Sequence, residues 1–509
     1  MNLYLRVKTI VLIFFSCINN PHPIFAQSTP PSGVTIPPNT PGKVEQTIPQ
    51  STSSPIYTPP SPSNLILFPN PTENPLDIIP TGESFFVKEI QIIGNTVLKE
   101  EITKLKRSLE NKYIRFEQLL ELRSQITQRY IKKGYITSGA FLLNNQNLNS
   151  GIVKIQIVEG ELEAVEVSGL QRLQEGYVCS RIARATQIPF NQKRLEQALQ
   201  LLQIDPLIAQ VKAELTAGST PGRNILRLQL KEAPAFHAGM EVANSQSSSI
   251  GSEQGSVFIE HENVLGFGDK FYAEYGITKG LNLYDFSYNV PFNALDGTIG
   301  VRYNNSDSKI IEDDFRDLNI RSKSRTFSFN IRQPLQCTPN SEFALGLAFD
   351  LRRSQTFLLD DIPFSFSEGP EEGESKVTAI RFSQDWLQRD ANRVLAARSQ
   401  FNIGIGAFDA TVNDTGTDGR FLTWLGQFQW VQKLSPRTII VAKIDAQLTG
   451  DSLLSLEKFS IGGVETVRGY NQNQVVTDNG IIASIEARIP LTSNTNILQL
   501  VPFFDFGTG

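Results

Sequence analysis

The sequence predicts a transmembrane antiparallel β-barrel preceded by two small α+β modules. Three observations predict it. From residue 234 onward, about 13 segments of roughly ten residues alternate apolar and polar side chains, as barrel strands do. Before them, two consecutive stretches of about 70 residues run through the same order of strand, two helices and two strands. Finally, a long Gly-rich loop carrying Val467-Arg468-Gly469-Tyr470 stands between two of the late strands.

The chain has 509 residues and a formal net charge of −5, which argues against nucleic-acid binding, where a basic stripe is expected. No run of about 18 apolar residues exists, so helices are not expected to cross a membrane, while strands leave no such signature. Residues 1–26 read as an export signal. Arg6 and Lys8 precede the apolar stretch Ile10 to Ile18, and a cut is expected after Ala26, with Ile24 three positions inside it. Cys17 lies inside this signal, so the mature chain keeps Cys179 and Cys337, read as buried thiols with pairing left open. Residues 27–80 hold 14 of the 28 prolines, predicting an extended, largely polyproline linker without a stable helix.

In the first module, 84–160, Phe85 to Ile93 reads as one β-rich run closed by Gly94-Asn95. Phe116, Leu119, Ile126 and Tyr130 recur at helical spacing, and Gly134 stops that helix. Tyr135, Thr137, Gly139, Phe141 and Leu143 alternate along a strand, and Val153, Ile155 and Ile157 along the next, which ends at Glu159-Gly160. The second module, 161–233, opens with Val165 and Val167. Asn191 is placed to cap a helix carrying Leu195, Leu199 and Leu202, and strands follow near Val211 to Leu215 and Ile225 to Lys231.

The barrel region, 234–509, carries strands near 236–245, 254–263, 269–277, 282–290, 297–306, 324–333, 342–353, 375–386, 395–407, 420–432, 438–448, 479–489 and 498–507. Arg302, Asp350, Asp445 and Glu486 on these strands are costly toward lipid and natural in a wet lumen. A soluble β-sandwich is the alternative, though its strands are commonly nearer five or six residues. Thirteen is an odd number for a bacterial barrel, and the last strand runs to Phe506-Gly507-Thr508-Gly509, so a C-terminally truncated barrel is expected.

No HExxH, CxxC, phosphate-binding loop or GxSxG occurs, so neither a cofactor, a metal nor an enzymatic nucleophile is expected. The loop from Asp451 to Asp478 differs from a solvated loop by its apolar Phe459, Ile461, Val464, Val467 and Tyr470. Gly462 and Gly463 supply the expected hinge. On the last strand Phe503 and Asp505 share the face opposite Phe504 and Phe506, so Arg468 is expected to fold into the lumen and pair with Asp505 beside Phe503. An exposed loop arginine is the alternative.

Taken together, these residues resemble the two-partner secretion transporters (the TpsB, or haemolysin-activator ShlB/FhaC/HecB, family) of the wider BamA-like superfamily. Phe85 to Gly160, with Gly151-Ile152-Val153-Lys154-Ile155 and Val158-Glu159-Gly160, is similar to the family's first POTRA module, and 161–233 to its second. Val467-Arg468-Gly469-Tyr470 matches the lumenal-loop motif VRGF/Y, and Phe503-Phe504-Asp505 the F-x-D motif. The resemblance implies a barrel of 16 strands, with about 13 present here, in the outer membrane and with the POTRA modules in the periplasm. It implies export of a large secreted β-helical partner without nucleotide hydrolysis, contact with outer-membrane lipid, and handling by the barrel-assembly machinery during biogenesis. The family often starts with a plug helix, for which 27–80 is too proline-rich, and the terminal aromatic used in barrel assembly is missing here. A BamA-like assembly factor that inserts other barrels is the runner-up reading. A passive solute porin would need no such modules.

Overall fold

The computed structural model describes residues 66–67, 84–143, 146, 150–244, 246–414, 416–492 and 498–509. The export signal and almost all of the proline-rich segment lie outside the described residues. Two compact units are formed. One holds the two N-terminal modules and the other comprises residues 235–264 and 268–509.

In the first module the strand Glu89–Ile93 runs parallel to Ile152–Val158, which also pairs antiparallel with Gly139–Leu142. The helices Lys99–Arg107 and Phe116–Lys132 cover one face. Leu119, Leu122, Ile126 and Tyr130 follow one another at helical spacing and are fully buried against Ile90, Val153, Ile155 and Ile157. Phe85 to Ile93 is not one strand, however. It breaks at Lys88, whose N–H donates to the Gly151 carbonyl at 2.7 Å, and Ser84–Val87 pairs instead with Lys112–Arg115. The expected strand from Tyr135 is also shorter, because residues 135–138 form a turn in which Ser138 N donates to the Tyr135 carbonyl.

The second module repeats the topology. Glu161–Ser168 runs parallel to Arg223–Glu232, which pairs antiparallel with Ile208–Ala217. Helices Glu175–Ala183 and Gln192–Ile204 bury Val178, Ile182, Leu195, Leu199 and Leu202. Asn191 caps the second helix by accepting from Lys193 N at 3.1 Å. Its amide also donates to the Lys133 carbonyl, and Phe190 N donates to the Gly160 carbonyl, so the cap helps to join the modules. The outer edge of Ile208–Ala217 carries an added parallel strand, Ile66–Leu67, from the proline-rich segment.

A second repeated feature fastens each module. Glu159, just past the closing strand of the first, accepts from Thr96 N at 2.8 Å, Thr96 Oγ1 at 2.5 Å, Val97 N at 3.1 Å and the Tyr130 hydroxyl at 2.9 Å. Glu232, at the corresponding place in the second, accepts from the backbone N–H of Gln171, Arg172 and Leu173. Each carboxylate closes the loop that leads from the first strand into the first helix. Burial opposes ionisation of both groups, but these donors outweigh it and hold the two carboxyls below their ordinary value of 4.5.

The other unit is a single curved antiparallel wall. Thirteen strands follow in chain order: Phe236–Asn244, Glu253–His261, Lys270–Ile277, Leu281–Pro291, Thr298–Lys309, Arg321–Thr338, Ser341–Leu358, Glu374–Arg389, Arg393–Gly404, Phe421–Lys433, Ile439–Thr449, Gly480–Pro490 and Phe503–Thr508. Along Phe421–Lys433, Leu422 is 55% exposed while Thr423 beside it is 1% exposed, and Phe428 is exposed while Gln429 is buried. The same inversion places Phe401 and Ile403 outward and Arg398 and Asn402 inward. A β-sandwich would do the reverse; apolar outside and polar inside is a membrane barrel wall. The expected strand at 498–507 is interrupted. Gln499–Leu500 and Phe503–Thr508 pair separately with Gly480–Pro490, since Pro502 has no N–H to give the ladder. Neither Cys179 nor Cys337 forms a disulfide, and both are half-buried rather than buried.

The Glu159 and Glu232 contacts set a sign for acid sensitivity. Their folded pKa values lie below the unfolded value, so the stabilisation is complete above about pH 4.5 and is lost as the pH falls through the folded values. The melting midpoint of the N-terminal unit is expected to drop as the pH falls below about 4.5. Glu159→Gln is expected to flatten part of this dependence, and Glu159→Ala to cost about 1–3 kcal/mol by stranding its donors. Circular dichroism melts across this range provide the check; full wild-type acid dependence in Glu159→Gln would exclude Glu159 as a source.

Candidate functional site

The inward face of the wall is lined by paired charges. Arg302 binds Asp285 through Nε at 3.0 Å and Nη2 at 2.5 Å. Arg332 lies between Glu342 and Asp385, and Asp385 also accepts from Arg398 at 2.7 Å. Asp445 stands opposite Gln427 in its ladder. Most of these groups line a polar cavity of about 600 Å³, together with Asp350, Arg352, Arg381 and Glu457.

The loop from Asp451 to Asp478 folds onto this face. Its core is a small hairpin, Phe459–Ile461 paired with Val475–Thr477. Phe459, Ile461 and Val467 are buried against Leu425 and Ile482 of the wall. Gly507 on the last strand makes this approach possible, because a Cβ there would meet Ile461 at 2.5 Å and Val467 at 2.8 Å. Gly462 and Gly463, with φ of 107° and 105°, reverse the chain after the first hairpin strand. A side chain on Gly462 would run into the Asn471 carbonyl, and one on Gly463 into Gln472. They sit at the base of the turn that presents Arg468.

Arg468 is held on every side. Its Nε donates to Asp505 Oδ2 and its Nη2 to Asp505 Oδ1, both at 2.7 Å, forming a fork. Its Nη1 donates to Glu486 Oε2 at 2.7 Å, Nη2 also reaches Ser484 Oγ at 3.0 Å, and its backbone N–H donates to Asp505 Oδ2 at 3.0 Å. The guanidinium carbon lies 3.7 Å over the Phe503 ring. The Asp505 side chain is only 2% exposed, so its charge depends on this partner. Of the motif, Val467 packs inward, Gly469 has φ 92°, and Tyr470 is exposed.

A second set of contacts at the other end of the loop has no signature in the local sequence. Glu457 is buried and binds both Arg352 and Arg381. The arginines lie 105 and 76 residues away on other strands, so no local pattern in the sequence links them to Glu457.

Removing the Arg468 fork while keeping its charge tests its geometry. Arg468→Lys supplies one ammonium where three guanidinium nitrogens now reach Asp505, Glu486 and Ser484. Protease cleavage within 451–478 is expected to rise nearly as much in Arg468→Lys as in Arg468→Ala, where breaking a buried pair costs about 3–5 kcal/mol. Wild-type protection in Arg468→Lys would show that charge alone suffices.

Comparison with known proteins agrees with this architecture. Residues 222–509 match the family profile described as haemolysin secretion/activation protein ShlB/FhaC/HecB, and residues 85–160 match a POTRA domain of ShlB type. The outer membrane transporter CdiB of Dickeya dadantii (strain 3937) is 23% identical over 430 residues, covering 82% of this chain and 74% of that protein. The heme/hemopexin transporter protein HuxB of Haemophilus influenzae is 21% identical over 442 residues, covering 84% and 76%. The solved structure of CdiB from Escherichia coli matches with a TM-score of 0.63 at 22% identity, covering 83% of this chain and 79% of that one. The fold is thus an outer-membrane barrel preceded by periplasmic POTRA domains, and the relatives are transporters, not enzymes. With more than half its length matched by the family profile, the chain belongs to the ShlB/FhaC/HecB family of haemolysin secretion/activation proteins, the outer-membrane transporters of two-partner secretion.

Proposed function

We propose that this transporter captures an unfolded segment of a large secreted β-helical protein on its POTRA modules, 84–160 and 161–233, and exports it through the barrel lumen. The loop 451–478, latched through Arg468 to Asp505 against Phe503, sets the conducting state. The observation that carries the reading is this loop, folded onto a polar, charge-lined wall by a fully partnered arginine. An extended segment adds most simply at an open sheet edge, where main-chain hydrogen bonds give affinity without strict sequence demands. Ile208–Ala217 already accepts such a strand, from the chain's own Ile66–Leu67. Folding of the cargo outside the cell supplies direction, so no nucleotide site is needed. Named relatives are transporters, among them CdiB and HuxB, which supports export over barrel insertion.

Secretion of a large exported repeat protein encoded in a neighbouring reading frame is the test. Arg468→Ala is expected to abolish secretion and alter single-channel behaviour while the barrel still assembles; unchanged secretion and conductance would remove the latch role. A photo-crosslinker at Lys212, exposed on the Ile208–Ala217 strand, is expected to capture unfolded cargo and not folded cargo. If depletion of the chain lowered unrelated outer-membrane barrels and left the partner's export intact, the assembly-factor reading would replace this one.

A further inference from the structure

The far end of the lumenal loop is fastened by a cluster that the Arg468 latch does not involve. Glu457 closes the short helical turn Ser455–Glu457. Its Oε1 accepts from Arg352 Nη1 at 2.8 Å and Arg381 Nη2 at 2.9 Å, and its Oε2 from Arg381 Nη1 at 3.1 Å. Arg352 Nη1 also donates to the Leu456 carbonyl, and Gln447 Nε2 to the Glu457 carbonyl at 3.0 Å. Arg381 Nε donates to Asp350 Oδ2 at 2.5 Å. The Glu457 side chain is 5% exposed, and Leu453, Leu454 and Leu456 pack beside it on Val377, Ala379 and Phe421.

These contacts place the two ends of the loop's inner segment, Glu457 and Arg468, on separated parts of the wall. Arg352 and Arg381 belong to strands Ser341–Leu358 and Glu374–Arg389, whereas the partners of Arg468 belong to Gly480–Pro490 and Phe503–Thr508. Between the two sites run three further strands, so the loop spans about 19 Å of wall at the usual strand spacing. The ends are also unlike in charge. Without Arg468, Asp505 would keep only Ser484 Oγ, in a place that is 2% exposed. Without Glu457, Arg381 would still hold Asp350, and the wall would be left with two cations against one carboxylate. Such a site tolerates departure of the loop by becoming a positive patch facing lumenal water.

We propose that Glu457 is a second, releasable anchor of the loop, and that its carboxylate neutralises a cationic patch of Arg352 and Arg381 that is uncovered when the loop swings away. Arg468 is then the fixed end and Glu457 the opening end. Glu457, Arg352 and Arg381 all border the polar cavity, so release at Glu457 widens the passage and changes its ion preference together. The inference rests on the lumenal-loop reading given above.

Planar-bilayer recording of the full-length chain in a KCl gradient tests it, with heat-modifiable migration reporting barrel folding. Glu457→Gln is expected to raise conductance and shift the reversal potential toward that of chloride. Glu457→Asp is expected to stay nearer the wild type. The double variant E457Q/R352Q is expected to bring the reversal potential back while conductance stays high, which a misfolded barrel would not do. Arg352→Gln alone, leaving the cluster one cation short, is expected to shift selectivity the opposite way, and carries the test should E457Q not fold. A folded Glu457→Gln protein with wild-type conductance and reversal potential would overturn the proposal. If Arg468→Lys measured in parallel altered the channel, only the Glu457 anchor would fall; if neither variant altered it, the lumenal-loop reading would fall as well.

Discussion

A backbone lying in hydrocarbon must satisfy its hydrogen bonds within itself, and the rest of this molecule follows from that constraint. The thirteen strands meet it by pairing with sequence neighbours, which leaves each strand with one face to lipid and one to water. Phe401, Ile403, Leu422 and Phe428 therefore point outward, and polar side chains collect on the concave side. Once charges gather there, each needs a partner, because water in a narrow lumen screens less than bulk water. Asp285 with Arg302, and Asp385 with Arg332 and Arg398, are the result.

The lumenal loop extends the same logic. It brings one cation and one buried anion into a surface that already carries their counterparts, and Phe459, Ile461 and Val467 cover apolar area between. Neither kind of contact would hold the loop as well alone. The ion pairs are directional and fix its register, while the apolar cluster is not directional and fills the gap. Gly507 belongs to both, since only a missing side chain lets the hairpin lie close enough for Arg468 to reach Asp505.

How much of this was readable in the sequence depended on how local the cause was. Strand alternation is local, so the thirteen wall segments and the outward Leu422 beside inward Thr423 could be read directly. Side-chain parity also put Asp505 and Phe503 on one face, and the structure places both against Arg468. Phe85 to Ile93 misled because its pattern is unbroken, whereas its two halves pair with different strands on either side of Lys88. Pro502 was a visible breaker inside an otherwise smooth alternation. Glu457 was illegible because its partners are fixed by where the loop lands on distant strands. The fastening by Glu159 and Glu232 likewise depends on loops some 60 residues earlier in the chain.

The short strand Ile66–Leu67 gives the N-terminal unit a property of competition. A strand tethered to its own edge is present there at a raised effective concentration. Any other extended segment at Ile208–Ala217 must exchange with it, so what is felt is the difference between two affinities. Weak, promiscuous pairing is the hazard of every open sheet edge. Here the edge carries its own stand-in, and only a segment that pairs better than Ile66–Leu67 displaces it.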